Sequence, residues 1–282
     1  MTASAPRRFA RVRPLSPAVA DEHFFVANDA PDFGSDAGRS WTVIDSPFPA
    51  SRANANNPAR PGWETGAVVS EESFTFLAPS IPVNVFGMAH NTGQPGRDLP
   101  PQAFHKAASS VIGPGDAIEL SSAVGYVDPE AELTVVVGRT VRGLTLETAR
   151  SAILGFTIGN DVSARDLQKS DELWISAKSQ DTFTPVGPWI VTDLDDSDLP
   201  IGIVHNGTEL KAASSADLGW KVDEILVYLS SFMTLHAGDL VLTGFPAECA
   251  RIQPGDTVVC RVQGIGELSN PVTAASWEES QA

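Results

Sequence analysis

The stretch Asp128–Gly138, DPEAELTVVVG, decides the fold. Its second half, AELTVVVG, is a run of aliphatic and β-branched residues of strand length that ends at a glycine. Its first half carries Asp128, Glu130 and Glu132 at every second position. A strand turns alternate side chains to opposite faces, so one continuous strand would point all three carboxylates the same way. Like charges so placed repel, and the pattern predicts a positive group between them. At ~3.3 Å per residue, Glu130 and Glu132 would stand about 7 Å apart, a span that can straddle one divalent ion. The same pattern suits the solvated face of an edge strand.

Working outward, strand-like runs recur from Pro82 onward: VNVFGM, WIVT, DLVLTG and DTVVCRV. Gly-Asp turns stand before several strand-like segments, at Gly115-Asp116, Gly238-Asp239 and Gly255-Asp256. Two segments read as helices. TLETARSAILG offers Thr145 as an N-cap and ends at Gly155. KVDEILVYLSSFM sets Val222, Ile225, Leu226, Leu229 and Met233 on one stripe. The fold class is α+β, predominantly β, with a few helices and no alternating βαβ order. Residues 1–80 are irregular, with a long Pro- and Asn-rich loop at Asp45–Trp63 and short apolar runs, WTVI and GAVVS, that could be strands. They are expected to form a small, variable N-terminal domain, with residues 81–276 as the main one.

Composition narrows the partners. The 282 residues carry 35 acids against 19 Lys and Arg, a net charge of -16, which argues against nucleic acid or an anionic membrane as the main partner. A small anionic ligand is not excluded, because a site can be locally positive. The two cysteines, Cys249 and Cys260, make neither a disulfide framework nor a zinc pattern, and a reducing cytoplasmic setting fits them best. No run of 18 apolar residues could span a bilayer. The Arg-rich start lacks the apolar core of a secretory signal and leaves a transit peptide open. No GxGxxG or Walker pattern argues for a nucleotide.

Further chemistry gathers downstream. In GNDVSARDLQ, Asp161 follows an apolar segment at a strand-to-turn position, and Ser163 with Asp166 reads as an S-x-x-D capping pair opening a short helix. Carboxylate oxygens without clustered sulfur or imidazole suit Mg²⁺, Mn²⁺ or Ca²⁺. Lys178, between Ala177 and Ser179, could reach a substrate anion or be an ordinary surface lysine. LVLTGFP is a strand running into a turn at Thr243 and Gly244.

DPEAELTVVVGR, NDVSARDLQ, AKSQDTFTPVGPWIVT, LHAGDLVLTGFP and GIGELSNPV, with FHKAASSVIGPGDAIEL upstream, stand in an order and spacing that resemble the fumarylacetoacetate hydrolase family. The resemblance runs from Pro82 to Val272. It implies a mixed β roll or pseudo-barrel with a few helices, a smaller N-terminal domain and a homodimer. It implies one divalent cation, Mg²⁺ or Mn²⁺ with Ca²⁺ as a further option, held by Glu130, Glu132 and Asp161; that cation would be the positive group the opening stretch asks for. Asp128 would then lie behind the ligands or in solvent. The resemblance further places Arg165, Gln168, Lys178 and Thr243 around a small anionic 2-oxo or 1,3-dicarbonyl acid.

One stretch departs from the family pattern. Where many members read G-x-N-Y-x-x-H, this chain has VFGMAHNTGQPGRDLPP. His90 before Asn91-Thr92-Gly93 resembles the histidine of the hydrolases, as a general base, a substrate contact or a structural residue. Glu248 is its candidate distant partner. SSADLGW, near Asp217, stands where the family usually has an apolar block. The resemblance favours a metal-dependent hydrolase that cleaves a C–C bond in an acylpyruvate-like or β-diketo acid. The alternative on the same scaffold is a lyase or isomerase: a 2-oxo acid decarboxylase, a hydratase or dehydratase, or an oxaloacetate tautomerase. A homologue that binds metal without catalysis is a third reading, against which the intact carboxylates and Lys178 weigh.

Overall fold

A computed structural model describes residues 7–17, 21–30, 36–48, 51, 54–55, 60–93, 98–247 and 249–275. Five strands come first: β1 (Arg8–Pro14), β2 (Phe24–Asn28), β3 (Ser40–Ile44), β4 (Val68–Ser70) and β5 (Phe74–Phe76). The N-terminal part is thus more regular than its sequence suggests, and the arginines Arg8 and Arg11 of the Arg-rich start belong to β1. A hairpin follows, β6 (Val85–Ala89) with β7 (Gln102–Lys106), and then β8 (Val111–Ile112), β9 (Ile118–Leu120) and β10 (Val127–Asp128). The central pair is β11 (Ala131–Val137) and β12 (Ile153–Asn160). Then come β13 (Ser163–Ala164), the short helices α1 (Arg165–Ser170) and α2 (Ile175–Lys178), and β14 (Thr184–Val191). The chain closes with β15 (Pro200–His205), β16 (Thr208–Glu209), β17 (Ala213–Ser214), α3 (Val222–Phe232), β18 (Leu240–Leu242), β19 (Thr257–Val262) and β20 (Gly266–Ala274).

Two large sheets organise these strands. The first runs β4-β3-β2-β1-β14-β12-β11-β18-β6-β7, with β5 on β1 and β8 on β14. The second runs β16-β15-β19-β20-β9, with β17 on β15, and packs across β11, β12 and β14 of the first. The main core lies between them, and every side chain of β11 is buried. That explains its near-continuous apolar text, which a one-sided strand would not carry. A separate cluster under β1–β5 gathers Trp41, Trp63, Phe74 and Val12.

The fold is predominantly β, as the sequence pattern indicates, and α3 buries Val222, Ile225, Leu226 and Leu229 as its stripe requires. Two local expectations are overturned. The segment from Thr145 to Gly155 is not a helix: Thr145 and Thr148 close a turn, a short 3₁₀ segment spans Ala149–Ala152, and β12 starts at Ile153. The apolar run ILGFTIGN gains ladders with both β11 and β14, which outweighs the local helical preference. The opening stretch is also not one strand. Pro129, which has no N–H to donate, separates β10 from β11, so Asp128 pairs with Ser163 while Glu132 pairs with Gly159.

Candidate active site

The break at Pro129 puts Glu130 on a connection between two ladders. Its N–H donates to Asn160 Oδ1 at 3.1 Å, and its carbonyl accepts from the Asp161 N–H at 2.9 Å. The end of β12 therefore locks the glutamate turn and the aspartate against each other. Glu130, Glu132 and Asp161 each present a carboxylate oxygen, and these oxygens all lie within 4.8 Å of one another. Glu132 and Asp161 are 3% and 2% exposed. All three line a cavity of about 360 Å³ with His90, Phe104, Arg165, Gln168, Trp174 and Lys178.

Cations surround the acids. Lys178, only 2% exposed, donates to Asp161 Oδ2, to Glu130 Oε2 at 3.1 Å and to Ser163 Oγ at 2.5 Å, which rules out an ordinary surface lysine. Arg165 bonds Asp128 Oδ1 at 2.8 Å, Glu130 Oε1 at 3.1 Å and Gln168 Oε1 at 3.0 Å. Asp128 is thus a buried partner of Arg165, not a solvent-facing charge. Burial alone would lower the Lys178 ammonium, but Asp161 and Glu130 hold it above its ordinary range. Burial would likewise raise Asp161, but Lys106 and Lys178 keep it low. Burial lifts the Asp128 carboxyl to about 6, against the opposing pull of Arg165.

Glu132 differs. Its Oε2 accepts the Gly244 N–H, and burial followed by the charges of Asp161 and Glu130 pushes it well above the carboxylate range. Three carboxyl groups whose oxygens converge, one of them raised by burial and by the charge of the other two, fit a hard divalent cation.

Gly244 at φ +107 has a backbone that L side chains rarely adopt, and a Cβ there would meet Asn91 O at 2.5 Å. The turn that brings its N–H to Glu132 needs glycine. The Thr243 hydroxyl is turned away, donating to Leu133 O at 2.8 Å, so Thr243 supports the turn and does not line the cavity. The expected cap of α1 is not made either: Ser163 Oγ bonds Glu130, and Asp166 accepts the Tyr126 N–H.

His90 stands exposed at the rim, at φ 57, with its ring edge-on to Trp174 at 5.5 Å. The next residue, buried Asn91, anchors this corner to Trp220 and to Thr243 O. Among the described residues no carboxylate pairs with His90; Glu248 lies outside them. Trp174, itself at φ 61, packs edge-on to Phe104 at 5.6 Å, and the Lys178 ammonium lies 4.7 Å from the Phe104 ring centroid. Phe104 can cover β6 because Gly87 has no Cβ to collide with its ring. His105 points to the other face of β7, against Phe86.

Sequence reasoning missed Lys106, whose Nζ bonds Asp161 Oδ1 at 2.6 Å, together with Phe104 and Trp174. The signal was the alternation in QAFHK, which puts Phe104 and Lys106 on one face. A larger groove of about 500 Å³ runs along β15 and β19, but its charged lining, Arg261 with Glu209 and Glu267, pairs with itself.

Comparison with known proteins fits this geometry. A model of the fumarylacetoacetate hydrolase C-terminal region matches residues 82–273. Protein Rv2993c of Mycobacterium tuberculosis is 45% identical over 188 residues, 66% of this chain and 70% of that one. The mitochondrial oxaloacetate tautomerase FAHD2A of Bos taurus is 33% identical over 224 residues, 73% of this chain and 71% of that one. The crystal structure of a 2-hydroxyhepta-2,4-diene-1,7-dioate isomerase from Mycobacterium marinum, 34% identical, covers 95% of this chain and 99% of its own, with a TM-score of 0.81. By its sequence match and its fold, this chain belongs to the fumarylacetoacetate hydrolase family.

Proposed function

We propose that the protein is a divalent-cation-dependent isomerase that interconverts the keto and enol forms of a small 2-oxo acid. One observation carries this reading: the cavity joins three converging carboxylates and a buried ammonium to an imidazole exposed at its rim. Hydrolysis needs a base that is held and oriented to take a proton from water. Tautomerisation needs only a group that takes a proton at the carbon beside the carbonyl and lets one return at oxygen, which His90 at the rim can serve. Two similar proteins, one named a tautomerase and the other an isomerase, support the same choice.

Glu130, Glu132 and Asp161 would hold Mg²⁺ or Mn²⁺, with Ca²⁺ as a further option, and such a cation would supply Lewis-acid polarisation of the substrate's carbonyl. Lys178 binds the developing enolate or the adjacent carboxylate. Arg165, steadied by Asp128, Glu130 and Gln168, orients the far end of the acid. Phe104 and Trp174 keep water off the reacting carbons. The chemistry then belongs to residues 81–276, with residues 1–80 as a module beside them. A cytoplasmic homodimer completes the reading, on the strength of the family resemblance and the cysteine usage.

The second reading is hydrolysis of a C–C bond in an acylpyruvate, favoured by the His90-Asn91-Thr92-Gly93 sequence. Spectrophotometry separates the two. Enol oxaloacetate and a set of acylpyruvates are each followed with Mg²⁺ or Mn²⁺. Fast ketonisation without acylpyruvate cleavage is expected. Cleavage without ketonisation would replace the isomerase by the hydrolase.

A further inference from the structure

Strand β7 is inverted with respect to ordinary burial. It ends the long sheet, and Gln102 and His105 are exposed while Ala103 and Phe104 are half-buried. Its one fully buried residue is the lysine, Lys106, at 0% exposure. Edge strands normally hold lysine outward, where it discourages pairing with other chains. Burying an ammonium is unfavourable until its partners are counted.

Its partners are specific. Lys106 Nζ donates to Asp161 Oδ1 at 2.6 Å and to Val162 O at 3.3 Å. Lys178 takes the other oxygen, Oδ2, from the cavity side. The two lysines are not equivalent. Lys178 lines the cavity and lies within reach of a bound molecule; Lys106 lies outside that lining. Phe104, two residues earlier on the same face of the strand, lines the cavity and meets the Lys178 ammonium. When Lys178 leaves Asp161 for a substrate oxygen, Lys106 is the cation that still holds the aspartate.

We infer that Lys106 is a positioning residue: it fixes Oδ1 of Asp161 from beneath, so that Oδ2 faces the cavity in one orientation whatever Lys178 does. This rests on the cation site proposed above. Two other roles give different signs. If Lys106 served only to balance charge, its removal would take a positive charge away from a cation site and tighten cation binding. If it only filled space, a residue of similar length would leave binding unchanged. Positioning alone makes removal weaken binding, by the roughly 10–100-fold that loss of an outer hydrogen-bond partner of a ligand typically causes.

Calorimetric titration of the full chain with Mn²⁺ tests this, with thermal melts to confirm folding. Glu132→Gln comes first: if it binds Mn²⁺ as wild type does, the cation site itself is wrong. Given that it loses binding, Lys106→Met is expected to bind Mn²⁺ about 10–100-fold more weakly. Equal or tighter binding by Lys106→Met overturns the inference. Should Lys106→Met fail to fold, Lys106→Gln takes its place, since the shorter amide is polar but uncharged and falls short of Asp161 Oδ1. It is expected to bind Mn²⁺ more weakly than wild type; equal or tighter binding overturns the inference.

Discussion

The N-terminal strands and the carboxylate cavity each bury a cation, in opposite ways. Arg8, 3% exposed, lies about 5.3 Å from the Trp41 ring and 5.4 Å from that of Trp189, and donates to Asn28 Oδ1 at 2.7 Å. Burial lowers its guanidinium, and Glu71 offsets only part of that. Lys178, equally buried, is lifted by Asp161 and Glu130. Two rings, a neutral amide and the Ala30 carbonyl are among the groups that hold Arg8. The carboxylates that hold Lys178 repel one another, and Glu132 is left at odds with its neighbours. A buried charge in a contented setting points to structure; one among mutually repelling acids that open on a cavity points to chemistry.

The contrast breaks first at the three clustered carboxylates. Glu132→Gln and Asp161→Asn should each lower turnover by roughly 10³ or more, since Lewis-acid assistance is worth several kcal/mol at about 1.36 kcal/mol per decade. Chelation of wild type should do the same and lower its melting temperature, because a ligand at about 100 times its Kd adds about 2.7 kcal/mol to the folded state. Full activity after exhaustive chelation would end the metal-dependent reading. Lys178→Met should reduce turnover by roughly 10²–10³ while Mg²⁺ affinity is kept or tightened. A loss under about threefold, in steady-state kinetics, would put Lys178 outside the chemistry.

Arg8→Met should show the reverse profile. Turnover should stay within about twofold, while stability drops by about 2 kcal/mol through the lost charged hydrogen bond and ring contacts. Denaturant melts read the drop; an activity loss without one would mean that the N-terminal strands reach into catalysis. The smallest effect concerns His23. Burial, followed by the charges of Arg11 and Arg13, holds its imidazole below the ordinary range. The unfolded chain then binds the proton more readily, so the stability His23 contributes is present above about pH 6.5 and lost as pH falls through that value. The melting temperature of wild type should decline more steeply than that of His23→Gln between about pH 7.5 and 5.5. Parallel curves would remove His23 from the account.

The carboxylate cluster was legible because its members sit in short local patterns. Glu130 and Glu132 are two residues apart, and Asp161 directly follows the strand that pairs with β11, so local order became spatial order. Lys106 was not legible as a site residue, because its burial comes from the packing of the β6–β7 hairpin against the end of β12. The turn chemistry of Thr145 and Thr148 looked like a helix start until β11 and β14 claimed the residues after it. The reading of Thr243 placed the right turn but the wrong atom: the backbone N–H of Gly244, not the hydroxyl, meets Glu132. In the N-terminal part, loops break the apolar runs into pieces too short for periodicity to register.

The junction of β1 with β14 carries a practical consequence for anyone who trims this protein. Arg8 pairs with Val191 and Phe9 with Ile190, and on the far side of β14 runs β12, which delivers Asp161. Cutting away the first 80 residues to obtain a minimal enzyme would strip the Ile190–Val191 end of β14 of its neighbour and bare the backbone there beside apolar side chains. Such an edge recruits strands from other molecules. The shortened chain would then be a seed for aggregation before it was a smaller catalyst.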